Sequence, residues 1–401
     1  MKLPYALTTL LICLSFTPIH SKGKFTFNQG NINKEQYYET IPFEWLMDKV
    51  IIEAEIDGQL GRYILDTGAM CILFKDSTKQ QDYSELKIMK ISDANKKVKT
   101  TKVVKVPKIK IGELIYSDIP ALYIEPFEGA LKCFEVDGLI GSNLLRFGAF
   151  KIDVEARQLI LADSFQDFDL ELTDGIKMKL DKTQNSPRIS LKMNGQKQKN
   201  TLVDTGSGGI YAFSHKVAQK LQRKGKLDEP KYVSSGTNSQ GAWGVDGSEK
   251  KTNIWQVDKL EIAGNQFKNS LLRSDKSSAR IGMQLLANGP FVLDYPQERF
   301  FFLSNKEKVE PLSVASFGID FVSINDTIKV NGIWQNSLAA QSEVQKGDVL
   351  VDVLGFELRE TSMCKMFSAL KTKGKDYDKL EFVFRKRDSA QEYSLVLDRL
   401  K

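Results

Sequence analysis

Histidine is almost missing from this chain: only His20 and His215 occur in 401 residues. A Ser–His–Asp or Cys–His site needs a histidine as its base, and His20 falls in a leader-like segment, so such triads have little to be built from. No Cys/His cluster has metal-ligand spacing, and neither a metal nor another cofactor is expected. Cysteine is scarce too: Cys13, Cys71, Cys133 and Cys364. Cys13 lies in an apolar run, and Leu10-Leu11-Ile12 lacks the small residue that precedes a lipidated cysteine. Once that run is removed the count is odd, so at least one thiol is free or intermolecular. Cys71 and Cys133 share the first half of the chain; a disulfide between them stays open, because spacing does not supply geometry. A large charge of one sign is also lacking. Net charge is +6, from 57 basic and 51 acidic residues, which argues for neither nucleic acid nor a strongly acidic partner. Long apolar runs are confined to Leu3–Phe16, preceded by Lys2 and followed by a polar exit near Ser21. That pattern reads as a signal peptide over residues 1–21, too short for a spanning helix of roughly 20 apolar residues. The mature chain is therefore expected to be exported, periplasmic or extracellular, without a stable membrane span.

What is present is a repeat. The segment Ile64-Leu65-Asp66-Thr67-Gly68-Ala69-Met70 recurs as Leu202-Val203-Asp204-Thr205-Gly206-Ser207-Gly208, 138 residues later. Leu139-Ile140-Gly141 is followed by Arg280-Ile281-Gly282 at an offset of 141, and Phe150-Lys151-Ile152-Asp153 by Phe291-Val292-Leu293-Asp294 at the same offset. Three ordered matches at a near-constant offset indicate an internal duplication, and the period is too long for a solenoid. Each copy holds an alternating strand, an Asp57-Gly58 or Asn194-Gly195 hairpin turn, and a return strand that runs into Asp-Thr-Gly. A short helical patch is expected at Ser214–Arg223. The expected fold is mainly β, with two related lobes at 22–167 and 168–304.

One Asp-Thr-Gly is an ordinary turn. Two of them in duplicated surroundings are different, since a pseudo-twofold would bring Asp66 and Asp204 together. Paired carboxylates cannot both ionise cheaply, so they share a proton. Thr67 and Thr205 can lock the loops across the interface, and Gly68 and Gly206 let the backbone turn its N–H groups toward the carboxylates. These motifs resemble the retropepsin-like and pepsin-like aspartic peptidases over roughly Tyr38 to Ser304, in particular bacterial aspartyl-protease-like proteins with two lobes in one chain. The resemblance implies retropepsin-like β-barrel lobes, a catalytic dyad of Asp66 and Asp204, and hairpin flaps near Ile91–Val104 and Val233–Trp255, with Trp243 facing substrate. Two features depart from the repeat. Arg280 occupies a position expected to be apolar, and Ser207 stands where the first copy has Ala69. A Ser207 hydroxyl donating to Asp204 would make Asp204 the more acidic partner and leave the proton on Asp66.

A charged stretch at 305–311, ending in Pro311, reads as a linker. Residues 312–401 carry Phe317-Gly318-Ile319, Ser337-Leu338-Ala339-Ala340 and Lys346-Gly347-Asp348-Val349-Leu350. These resemble a PDZ domain, which implies an α+β module that binds peptide C-termini through Phe317, Gly318, Ile319, Phe321 and Phe367. The whole reads as an exported aspartic endopeptidase acting on polypeptides as a monomer. The alternative is a catalytically inactive peptide-binding scaffold with a vestigial cleft and a working PDZ domain.

Overall fold

The computed structural model describes residues 11–12, 17–18 and 25–401, except 76–81, 94–96, 237–238, 242, 246–248, 277, 304–311, 314–315, 325–326, 354–362 and 373–376. The signal segment expected at 1–21, apart from two short strands, and the linker expected at 305–311 lie outside the described residues. The chain is mainly β.

Two hairpins set up the repeat. Lys49–Ile56 pairs with Gln59–Asp66, and Pro187–Met193 pairs with Gln196–Val203. Their turns hold positive φ at both central residues: 48° and 85° at Asp57-Gly58, 45° and 74° at Asn194-Gly195. Such turns match the twist of the flanking strands, which is why Asp-Gly and Asn-Gly stand there. Each return strand starts at the surface and ends in the core, and so drives its Asp-Thr-Gly inward. The apolar-Gly segments then slide in alongside. Gly138–Gly141 runs parallel to Gln59–Asp66 with Gly141 opposite Asp66, and Arg280–Ile281 runs parallel to Gln196–Val203. A Cβ at Gly141 would lie 2.3 Å from the Met70 carbonyl carbon, and one at Gly282 would lie 2.5 Å from the Ser207 oxygen. Glycine is required at both places so that the loop after each aspartate can pack.

The halves are joined by a sheet to which both contribute. Ala149–Asp153 pairs antiparallel with Phe291–Asp294, with Phe150 opposite Leu293, Lys151 opposite Val292 and Ile152 opposite Phe291. These are the repeated segments, paired with each other about the equivalent residues Lys151 and Val292. The pseudo-twofold axis of the duplication therefore passes through this pairing. One apolar cluster runs continuously through both halves.

Glu85–Ser92 and Val98–Ile111 form the hairpin expected as the first flap, and Tyr232–Gly236 pairs with Lys250–Ile262 in the second. The two segments meet: the Trp243 N–H donates to Asp93 Oδ2 at 3.3 Å, and Lys97 Nζ donates to the Trp243 carbonyl at 3.1 Å. Lys99 lies over the Trp243 ring. The backbone of Leu11–Ile12 runs parallel to Ser239–Gln240, and that of Thr17–Pro18 antiparallel to Ile91–Ser92.

The C-terminal part is a sheet of strands Ile319–Ile324, Thr327–Ile333, Val349–Val353, Lys379–Arg385 and Glu392–Asp398, with helices Leu338–Gln341 and Met363–Thr372. It packs against the rest of the chain on two sides. Gln335 N donates to the Val233 carbonyl at the base of the second flap, and Tyr232 Oη donates to the Lys401 carbonyl. On the other side, Ile319–Ile324 and Met363–Thr372 both lie against the short helix Gly129–Phe134. A disulfide joins Cys133 of that helix to Cys364. The pairing of Cys71 with Cys133 left open by the sequence is thus replaced: among the described residues Cys71 is the free cysteine. It lies buried behind the Gly141 N–H, and burial pushes its thiol up to about 12.

Asp320 is buried on the strand expected to receive a peptide, and desolvation lifts its carboxyl to about 6, with Arg273 the main opposing influence. A carboxyl raised in the folded state contributes most below its unfolded value, and that contribution is lost as pH rises through about 6. Asp320→Asn is therefore expected to stabilise the protein above pH 6 by about 2 kcal/mol and to flatten the pH dependence between about 4 and 6. Urea unfolding at a series of pH values checks it; a neutral or lower stability at pH 7 would contradict it.

Candidate active site

Asp66 and Asp204 both lie fully buried where the two return strands end. The loops after them interlock through a crossed set of hydrogen bonds. Thr67 N donates to Thr205 Oγ1 at 2.9 Å, and Thr205 N to Thr67 Oγ1 at 3.1 Å. Each hydroxyl then donates onward into the opposite half: Thr67 to the Val203 carbonyl at 2.6 Å, Thr205 to the Leu65 carbonyl at 2.8 Å. Replacing Thr205 by Ala would orphan the Thr67 N–H and the Leu65 carbonyl together. A loss of about 2–4 kcal/mol is expected, read by denaturant unfolding.

Each glycine of the motif lies against the other half's carboxyl. A Cβ on Gly68 would lie 2.7 Å from Asp204 Oδ1, and one on Gly206 would lie 2.2 Å from Asp66 Oδ2. Any side chain there would displace an aspartate. Gly68 N donates to Asp66 Oδ1 at 2.8 Å, while among the described residues no group donates to Asp66 Oδ2 or to either carboxyl oxygen of Asp204. They are the oxygens free to hold a water or a shared proton.

Burial pushes both carboxyls above the usual range, and the charge of Asp204 pushes Asp66 further. Asp204 is held back chiefly by the Arg280 guanidinium and then by the Lys49 ammonium. The expectation that Ser207 does this through its hydroxyl is corrected, since no hydroxyl donates to the Asp204 carboxyl. Ser207 contributes its backbone: its N–H donates to the Asp204 carbonyl and, with the Gly206 N–H, also favours the ionised carboxyl, after Arg280 and Lys49. Arg280 also proves to be no misfit: it is buried with Asp275, Nη2 to Oδ2 4.0 Å, and its charge acts on Asp204.

Further support was not read from the sequence. Ser142 Oγ donates to the Thr67 carbonyl and shares a 2.8 Å hydrogen bond with Tyr295 Oη. Gln184 Nε2 donates to the Gly68 carbonyl at 3.1 Å, and Lys49 Nζ to the Gly206 carbonyl at 2.6 Å. A lysine directly before the apolar run Val50-Ile51-Ile52 is a legible signal; Gln184, in a polar loop, offers none.

Phe317, Ile319, Phe321 and Phe367 are buried in one apolar cluster with Ala130, Leu131, Cys133 and Phe134, and Gly318 takes φ of 86° against Ser337. Trp243 is buried between the flap tips. Among the described residues no group of His, Cys, Asp and Glu could hold a metal ion, and no helix is long and apolar enough to cross a membrane.

Residues 52–144 match a family described as aspartyl protease. No curated protein matches the chain in sequence. Among solved structures, a retropepsin-like aspartic protease from Rickettsia conorii is similar at 17% identity and a TM-score of 0.22, covering 33% of this chain and 94% of that one. The family match supports an aspartyl protease-like domain that contains Asp66 and the Leu139-Ile140-Gly141 segment.

Proposed function

We propose that the protein is an exported aspartic endopeptidase, with lobes at 22–167 and 168–304 sharing one cleft. The observation that carries this reading is the crossed Thr67/Thr205 lock, which brings two fully buried Asp-Thr-Gly loops face to face. Arg280 and Lys49 favour the ionised form of Asp204, and the charge of Asp204 keeps the proton on Asp66. Asp204 then accepts a proton from a water as its oxygen attacks the peptide carbonyl carbon. Asp66 donates its proton to the carbonyl oxygen. The resulting diol collapses as Asp204 passes its proton to the amide nitrogen, the C–N bond breaks, and Asp66 takes the proton of one diol hydroxyl as the carbonyl re-forms. Apolar strands around the dyad strengthen these charge interactions.

For residues 312–401 we favour a PDZ-like module that closes the assembly. Its strand Ile319–Ile324 and helix Met363–Thr372 both pack on Gly129–Phe134, so a peptide C-terminus would have to displace the chain's own segment. The test is cleavage of an unbiased peptide library from acidic to neutral pH by wild type, Asp66→Asn and Asp204→Asn. Cleavage by wild type alone supports the reading; equal behaviour of all three sinks it.

A further inference from the structure

The two Asp-Thr-Gly loops are not backed alike. Behind Gly68, the loop before Pro187–Met193 supplies a neutral amide, Gln184, which also donates to Ser186 Oγ at 2.7 Å. Behind Gly206, the corresponding position is filled by an ammonium, Lys49 Nζ, at 2.6 Å from the carbonyl oxygen. Lys49 is fully buried. It is delivered by a tight turn at Met47-Asp48, where both residues take positive φ, 47° and 61°. The turn is held against the second half by Gln284 Nε2 donating to Asp48 Oδ2 at 2.8 Å. Gly206 itself lies against the Asp66 carboxyl, so the ammonium is one residue removed from the dyad.

Building on the peptidase reading, we propose that Lys49 is a positioning residue that sets the ionisation of the dyad: its buried charge keeps one of two desolvated carboxyls ionised in acid, while its hydrogen bond fixes the Gly206 loop. A buried cation costs desolvation energy, and a neutral donor would satisfy the Gly206 carbonyl equally well, as Gln184 does for Gly68. The charge is therefore the distinctive contribution. Among the described residues, the charged groups around it include Asp48 on its own turn, Asp66 and Asp204 on the motif loops, Arg280 beside Asp204, and Lys371 at the end of the C-terminal helix. Lys371 is lowered to about 8, chiefly by desolvation, with Asp48 opposing and Lys49 adding to the fall. Across the acidic range in which the dyad titrates, Lys371 therefore carries its charge, a background that the Lys49 and Gln184 variants leave in place.

The experiment copies one half's solution into the other. Lys49→Gln places an amide behind both glycines, Lys49→Arg keeps the charge, and Gln184→Lys adds a second cation. The readouts are the acid limb of kcat/KM for a cleaved library peptide and the carboxyl carbon resonances of the full-length, aspartate-labelled protein. Lys49→Gln is expected to move the acid limb and the dyad titration up by about one pH unit. Lys49→Arg should restore the wild-type position, and Gln184→Lys should move it down. An unmoved titration in Lys49→Gln overturns the inference even if cleavage persists. If wild type cleaves nothing but the carboxyl titration still moves up, the electrostatic role of Lys49 stands and the peptidase reading falls. Should Lys49→Gln not fold, a downward shift in Gln184→Lys supports the inference and no shift overturns it.

Discussion

Asparagine at either Asp66 or Asp204 is expected to abolish peptide cleavage, by about 10⁴-fold or more in kcat/KM, while making the protein more stable at neutral pH. An amide can neither take the proton from water nor give one to the carbonyl oxygen, so Asp204→Asn removes the base and Asp66→Asn the acid, and neither half completes the exchange alone. The stability effect has the opposite sign. Both carboxyls are raised in the folded state, chiefly by burial. Such groups contribute most below the unfolded carboxylate value, and the contribution is lost as pH rises through the folded value. An uncharged isostere escapes that loss, so the gain over wild type should grow from acidic pH toward neutrality and then level off. Thermal melts of the three proteins across that range, run beside the cleavage assay, read both effects. Less stable variants that still cleave would mean that the aspartates are turn residues, bonding their own loops and nothing more.

The second large effect concerns the disulfide. Cys133 and Cys364 are 231 residues apart in sequence, so their bond closes a loop running from the first half through the entire second half into the C-terminal helix. Loop-closure arithmetic for that length gives about 5 kcal/mol as an upper figure. Replacing both cysteines by Ser should therefore cost several kcal/mol, seen as a lower denaturant midpoint, with Cys71 inert in the folded state because its thiol is buried. The loss should be concentrated where the bond holds the C-terminal sheet to Gly129–Phe134. Amide exchange should rise in Met363–Thr372 and in Gly129–Phe134 before it rises in Gln59–Asp66 or Gln196–Val203. Uniform loss of protection would mean that the C-terminal part unfolds together with the dyad strands.

Much of this architecture was legible from the repeat. Asp-Gly and Asn-Gly turns specify hairpins by local sterics, alternation specifies which face is buried, and two copies of one motif imply a pseudo-twofold. The helix expected at Ser214–Arg223 is found at His215–Arg223, with the Ser214 hydroxyl accepting from Val217 N as its cap. All of these are short-range or repeated signals. The partner of Cys133 was not legible, because a cysteine's pairing depends on which segments the fold brings together over hundreds of residues. Nor was the real source of asymmetry at the dyad. In the sequence the visible difference is Ser207, three residues after Asp204, where the first copy has Ala69.

By itself, then, the sequence determined that two Asp-Thr-Gly loops sit at the buried ends of two equivalent β hairpins, since strand period, turn chemistry and duplication are local properties. Tertiary structure alone decided what surrounds them: Lys49 behind Gly206, Gln184 behind Gly68, Arg280 beside Asp204, and Gly129–Phe134 against the C-terminal strand and helix. The reason is physical. Electrostatic and packing terms at a buried site depend on distance through space, and the groups that act most strongly on Asp204 lie 76 and 155 residues from it in the chain.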